Sequence, residues 1–184
     1  MNWQELESAC RNCRRCALAE TRNNAVIGRG NPNAPILFVG EGPGRHEDEQ
    51  GIPFVGQAGQ LLNLALTSCL FPPDSYYIAN VVKCRPPQNR TPLPEEQEAC
   101  LPYLRNQFLL IRPRIIVCLG AVAVSAMISK DAKITALRGA WTERKGVFFT
   151  ATYHPAALLR DDSKKIIMWK DLKKVREKLE ALSE

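Results

Sequence analysis

The chain opens without a basic region followed by an apolar run: Met1-Asn2-Trp3-Gln4-Glu5-Leu6-Glu7 carries none of the features of a secretion signal. Nor does any stretch approach the roughly 18 consecutive apolar residues of a membrane span. The expectation is a cytosolic (cytoplasmic) protein with no membrane partner. Low-complexity tracts and internal repeats are also missing, which argues against disordered and solenoid architectures. The glycine-rich segment near residue 40 lacks the Gly-Lys-Ser/Thr ending of a nucleoside-triphosphate loop and the glycine spacing of a dinucleotide fingerprint. Cofactor readings of those two kinds score low.

What the chain does contain is an ordinary globular mixture, 45% hydrophobic and 24% charged, with 13 Pro and 11 Gly for shaped loops. Its 184 residues suit one domain spanning 1–184, long enough to bury a substantial core. Formal charge is +6, which favours a polyanionic partner because Lys and Arg release condensed counterions on meeting phosphates. A merely solvated basic surface explains the charge equally well until motifs are read.

Short apolar or β-branched runs at 35–40, 76–82, 114–120 and 147–152 end in Gly or polar residues, the pattern of buried strands. Helix-like segments lie between them at 57–70, 94–110 (Pro94 first, Glu95 and Glu96 behind it) and 121–128. A closing amphipathic helix is expected over 162–182, with Ile166, Ile167, Trp169, Leu172, Val175 and Leu179 on its apolar face. This alternation implies an α/β fold with a mostly parallel, four-stranded sheet covered by helices on both faces. Ligands in such folds sit beyond the strand C-termini. The unusual loops, 41–56, 80–94 and 154–160, all follow strands, so they should converge on one site.

Seven cysteines in a chain without a secretion signal point to metal or cluster ligation rather than disulfides. Cys13-x2-Cys16 aims two thiolates from one tight turn, and Cys84 and Cys100 supply two more from a distant segment. Four thiolates suit zinc or an iron–sulfur cluster. The 15 residues between Cys84 and Cys100 are atypical of a zinc ribbon, which puts the cluster ahead. Cys10 reads as a spare, small buried hydrophobe, and Cys69 and Cys118 as core packing.

Gly40-Glu41-Gly42-Pro43-Gly44 directly follows a strand, where close glycines let a ligand approach the backbone. Together with Glu47-Asp48, Gly51-x-Pro53-Phe54-Val55-Gly56 and Ala58-Gly59-x-Leu61-Leu62, it resembles the first signature of family-four uracil-DNA glycosylases, without a break. Asn80-Val81-Val82-Lys83-Cys84-Arg85-Pro86-Pro87 and Tyr153-His154-Pro155-Ala156-Ala157-Leu158-Leu159-Arg160 are similar to the family's second-strand segment and its late histidine loop. The likeness runs from Cys13 to the final helix.

The resemblance implies a three-layer α/β/α sandwich that extrudes uracil from DNA and hydrolyses its N-glycosidic bond, leaving an abasic site. It implies a [4Fe-4S] cluster on Cys13, Cys16, Cys84 and Cys100, shaping the loop around it. Phe54 becomes the stacking ring, although a core plug is the plain alternative. Asn80, otherwise a turn former, becomes the reader of the uracil edge, because its amide can both donate and accept. His154 becomes the donor to charge developing on uracil O2; His46 lies among charges and reads as surface. Gly40, Glu41 and Gly42 complete the base pocket.

Gly42 takes the slot where other branches of the superfamily carry an acidic or amide side chain. That leaves Glu41, ahead of Glu47, to position water, stabilise the sugar cation or hold the loop. Leu158-Leu159 can wedge into the space left by the flipped nucleotide or simply pack, with Arg160 on phosphate. Lys83, Arg85 and Arg90 are candidate holders of the DNA backbone. The implied partner is uracil-containing DNA, single- or double-stranded, bound by a monomer, with a replication clamp as a further candidate. Two other readings stay open: a cluster-containing nucleic-acid-binding module without turnover, and a related glycosylase for another damaged base. The covalently trapping branch carries a basic, histidine-containing insertion near the second strand, and residues 81–94 show none.

Overall fold

The computed structural model describes residues 1–183. Its elements run α1 (Trp3–Arg11), α2 (Leu18–Thr21), β1 (Arg29–Gly30), β2 (Ile36–Gly40), α3 (Arg45–Gln50), α4 (Gln57–Ser68), β3 (Tyr76–Asn80), a short 3-10 turn (Pro87–Asn89), α5 (Pro94–Ile111), β4 (Ile115–Leu119), α6 (Ala121–Met127), α7 (Ile134–Leu137), β5 (Thr142–Arg144), β6 (Val147–Thr152), α8 (Pro155–Leu158) and α9 (Ser163–Ser183).

The strand order is β1-β3-β2-β4-β6-β5. The four expected strands form the parallel centre, β3-β2-β4-β6. Two short strands, β1 and β5, add antiparallel edges and bring the sheet to six. At two and three residues, with side chains half-exposed or exposed, these edges carry no apolar run from which to infer them.

All five residues of β2 are buried, and their side chains alternate between two cores as a pleated strand dictates. Leu37 and Val39 join Leu6 and Cys10 of α1, Leu104 and Ile111 of α5, and Ala123 and Val124 of α6. Ile36 and Phe38 join Leu62 and Leu66 of α4, Leu158 of α8, and Leu172 and Val175 of α9. The result is three layers, α/β/α.

α9 buries Met168, Leu172, Val175 and Leu179, a 4-3-4 spacing that keeps one helical stripe on the sheet. Ile166 and Trp169, expected on that stripe, lie outside it and are exposed. Asp171 pins the helix to the end of β6 by accepting from Thr152 Oγ1 at 2.9 Å. No helix among the described residues is long and apolar enough to cross a membrane.

The chain enters the parallel centre of the sheet at β2 and places β3 on one side and β4 on the other. Loops leaving β2 and β4 therefore diverge, opening a crevice at the strand C-termini where such sheets hold ligands. In register, Gly40 stands beside Asn80 and Leu119 beside Thr152, so the strands end at a common level.

Candidate active site

At that level a cavity of about 400 Å³ is lined by Glu41, Gly42, Phe54, Asn80, His154 and Arg160, among others. Residues more than a hundred positions apart in the chain share one pocket because their strands end together. Gly40, expected in the base pocket, does not line it but lies behind two side chains that do: a Cβ there would overlap Asn80 Oδ1 and come within 2.6 Å of Phe54 Cζ. A Cβ at Gly42 would come within 2.7 Å of Val82 Cγ2, so a larger residue there requires Val82 to move.

Phe54 is 6% exposed and belongs to the core beneath the pocket as well as to its wall. The ring is thus core packing and cavity wall at once. Its φ of 55° puts a non-glycine residue in the left-handed region, a strained geometry held by the surrounding loop. Its ring centroid lies 5.8 Å from that of His154. Gly59 makes the arrangement feasible, since any side chain there would overlap the Phe54 backbone.

His154 caps α8: its Nδ1 accepts from the Ala156 amide at 3.1 Å, which puts the ring proton on Nε2. That Nε2 is buried with no partner, and so is Asn80 Oδ1. Orphaned buried polar atoms are uncommon, and these two belong to residues that line one cavity. An Nε2–H donor and an amide form a pair of edges suited to a planar, hydrogen-bonding molecule.

Burial pushes His154 down to about 4, with Arg160 pushing the same way and Glu47 opposing. The ring is neutral at pH 7. Between its ordinary value of 6.5 and about 4, the unfolded chain binds a proton that the folded one does not, so His154 costs stability as pH falls through that window. Glu41 is half-buried at the rim and its carboxyl is raised by desolvation.

Glu47, proposed from sequence as a catalytic carboxylate, lines the cavity, but both of its oxygens accept from loop amides. Oε1 accepts from the amides of Val55 and Gly56 at 2.9 and 2.7 Å, and Oε2 from Gly44 at 3.1 Å. It closes the 44–56 loop on itself. Its neighbour Asp48, 1% exposed, accepts from the Asn23 and Asn24 amides and from Asn23 Nδ2, fastening the same loop to the segment after α2. Sequence reading gave Asp48 no role of its own, because an Asp inside a charged run looks like surface. The asparagine pair Asn23-Asn24 was the available signal.

Three assignments to the DNA face change. Leu158 is 2% exposed and packs with α4 and α9, so it cannot wedge into a duplex; Leu159, at 49%, can. Lys83 is 2% exposed, and its Nζ donates to Asn80 O and Gln107 Oε1 at 2.7 and 2.6 Å, so it reaches no phosphate. Arg90 forks onto Glu96 at 2.8 and 2.7 Å and holds the start of α5. Arg85, half-buried, gives Nε to Asn89, and Arg160 is exposed at the pocket mouth.

Cys13, Cys16, Cys84 and Cys100 line a second, much smaller cavity of about 10 Å³, and Cys10, set aside from sequence as packing, lines it too. As they stand, no three His, Cys, Asp or Glu side chains among the described residues form a metal-holding group. The donor chemistry nevertheless suits a soft centre. Five sulfurs gather where Arg22 Nη1 donates to Cys84 Sγ at 3.1 Å and the Lys83 amide donates to Cys100 Sγ at 3.2 Å. Burial raises Cys100 to about 11 and Cys10 to about 12, with Lys83 opposing at both, and a bound metal favours the thiolate at a ligating cysteine. Cys69 and Cys118 lie in the core, as expected.

The model of the uracil DNA glycosylase superfamily matches residues 27–181. A type-4 uracil-DNA glycosylase from Thermotoga maritima is 46% identical over 89% of this chain and 88% of its own length. One from Sulfurisphaera tokodaii is 45% identical, over 90% and 79% respectively. A type-5 uracil-DNA glycosylase from Pyrobaculum aerophilum matches at 33%, over 70% and 64%.

Proposed function

The chain belongs to the uracil DNA glycosylase superfamily and, within it, to the type-4 uracil-DNA glycosylases; from that premise we propose that its pocket takes uracil flipped out of DNA and that hydrolysis there frees the base. The protein is a DNA-repair hydrolase, acting on DNA as a single domain. The observation that carries the assignment of roles is the pair of buried, partnerless atoms, Asn80 Oδ1 and His154 Nε2, on two residues that line one cavity.

Uracil presents an N3–H donor between two carbonyl acceptors. Asn80 Oδ1 accepts from N3–H while its amide nitrogen donates to O4, and His154 Nε2–H donates to O2. Phe54 stacks on the ring face. As the glycosidic bond lengthens, electron density moves onto the base and the sugar becomes cationic. A fixed donor in a dry pocket stabilises that charge without reorganising. Glu41, which lines the cavity and whose carboxylate takes no hydrogen bond from the described residues, positions water or faces the sugar cation. Unstacking costs a few kcal/mol, offset by pocket contacts and by Arg160, Arg85 and Leu159 on the strand.

Cys13, Cys16, Cys84 and Cys100 would hold a [4Fe-4S] cluster, with Cys10 beside it. When bound, the cluster ties the N-terminal segment to the loop after β3. The Arg22 and Lys83 donors to sulfur support thiolates there.

The test is base release from a uracil-containing oligonucleotide, with matched thymine and cytosine substrates and an absorption spectrum and iron assay of the same sample. Release confined to uracil from an iron-containing protein is expected. No release from an iron-loaded sample would favour a binding module without turnover. The pH profile provides a second check: with His154 near 4, uracil release shows no inflection around 6.5. A step there would mean that His154 titrates in the ordinary range and that its tautomer is not fixed as described.

A further inference from the structure

The geometry around Lys83 points to a role that no pocket residue accounts for: we propose that Lys83 is a positioning residue that sets the Asn80 base reader from behind, through the peptide unit that follows it. The inference rests on Asn80 being that reader.

Asn80 ends β3, and the peptide joining it to Val81 is gripped on both sides. Its N–H, on Val81, donates to Gly40 O at 2.9 Å, and its C=O accepts from Lys83 Nζ at 2.7 Å. A peptide plane held at both ends fixes the backbone direction from which the Asn80 side chain leaves. That side chain makes no bond to protein through Oδ1, so no hydrogen bond at that atom aims it. A shift of even an ångström in such a group is expensive for chemistry.

The brace is rigid. Gln107, fully buried on α5, accepts the second Lys83 bond and is itself anchored through Nε2 to Ile27 O at 2.8 Å. The Lys83 backbone is fixed as well: its carbonyl accepts from Val26 N at 2.7 Å and its amide donates to Cys100 Sγ. Lys83 thus stands with its side chain under the base reader and its main chain on the cysteine cavity.

An ammonium this deep is costly without an opposing charge. No carboxylate among the described residues pairs with it; its two partners are neutral carbonyls. The groups able to carry negative charge beside it are the sulfurs lining the adjacent cavity. Thiolates held by a bound cluster would supply that charge, which explains why a lysine is tolerated where a neutral residue would bury more easily.

The experiment compares the iron-loaded wild-type protein with Lys83→Met and Gln107→Leu, reading iron and sulfide per chain, free-uracil affinity by calorimetry, single-turnover uracil release and the uracil-over-cytosine ratio. Lys83→Met is expected to slow release about ten- to a hundredfold, weaken free-uracil binding and lower the ratio, with the Michaelis constant for DNA within about threefold. Gln107→Leu, which leaves the cysteines and Asn80 untouched, is expected to produce a smaller loss of the same kind with full iron content. Iron-loaded Lys83→Met that retains wild-type rate, affinity and ratio would overturn the proposal. Should Lys83→Met fail to load iron, an iron-loaded Gln107→Leu with unchanged affinity and ratio overturns it instead. A wild-type protein that releases no uracil would defeat the functional reading itself, separately from this one.

Discussion

Replacing His154 by alanine is expected to slow uracil release by about 10²- to 10³-fold, with the Michaelis constant for DNA changing by no more than a few fold. The argument begins at the backbone. His154 precedes Pro155 and caps α8, and the Ala156 amide donating to Nδ1 leaves Nε2 as the proton carrier. Burial keeps the ring neutral, and Nε2 has no protein partner to give up when a ligand arrives. Such a donor meets little charge on the uracil O2 of intact DNA and much more as the bond to the sugar breaks. The interaction therefore grows toward the transition state and appears in kcat rather than in binding. His154→Gln, whose amide N–H can reach part of the same space, should recover some of the loss. A His154→Ala protein with weakened DNA binding and an unchanged single-turnover rate would make His154 a wall of the pocket and no more.

Gly120 bears on that experiment. It sits at φ 91° at the end of β4, and a Cβ there would come within 2.9 Å of His154 Cβ. The histidine loop can therefore lie against the β4 terminus only because the facing residue has no side chain. Phe54 and Gly59 repeat the device on the other wall. The pocket is shaped as much by omitted side chains as by those present.

How much of this was legible in the sequence depends on whether the determining interactions are local. The four central strands were readable to within a residue or two because each is buried on both faces and so becomes an unbroken apolar run. β1 and β5 pair through two and three residues at the sheet margins, where burial imposes no pattern. α3 was read as loop, since Arg45-His46-Glu47-Asp48-Glu49-Gln50 is polar throughout; it is fixed by Glu47 and Asp48 reaching distant amides. Phe54, Asn80 and His154 came from resemblance, and the fold brings them to one cavity. Lys83, expected on the DNA backbone, is buried, and Leu158 takes the packing alternative, for a single reason. A lysine between Val82 and Cys84 and a leucine before Leu159 each have a surface reading and a buried one, and only packing from other elements decides between them: Gln107 of α5 for Lys83, Leu62 and Leu66 of α4 for Leu158. Cys10, expected to be a small buried hydrophobe, is one, 1% exposed in the core, and it also lines the cysteine cavity.

Asn80→Asp is expected to reduce uracil release by about 10³-fold or more and to permit slow release of cytosine. A site that hydrogen-bonds a polar edge rejects the mismatched edge strongly, because buried groups are left unpaired. Asn80 is 1% exposed, and its amide offers one acceptor and one donor in fixed order. An ionised aspartate offers acceptors alone and repels uracil O4. Burial favours the protonated acid, which donates to cytosine N3 while its carbonyl accepts from the exocyclic amine, the reverse of the uracil pattern. The gain on cytosine should be modest, since His154 and Phe54 serve both pyrimidines alike. The measurement is single-turnover release from matched uracil and cytosine oligonucleotides, with free-uracil affinity as the control for pocket integrity. Unchanged selectivity would remove Asn80 from the edge, and with it the reason for Lys83 to hold the peptide behind it. Reversed selectivity would tie the choice of base to one amide at the end of β3, oriented by a strand on one side and a buried ammonium on the other.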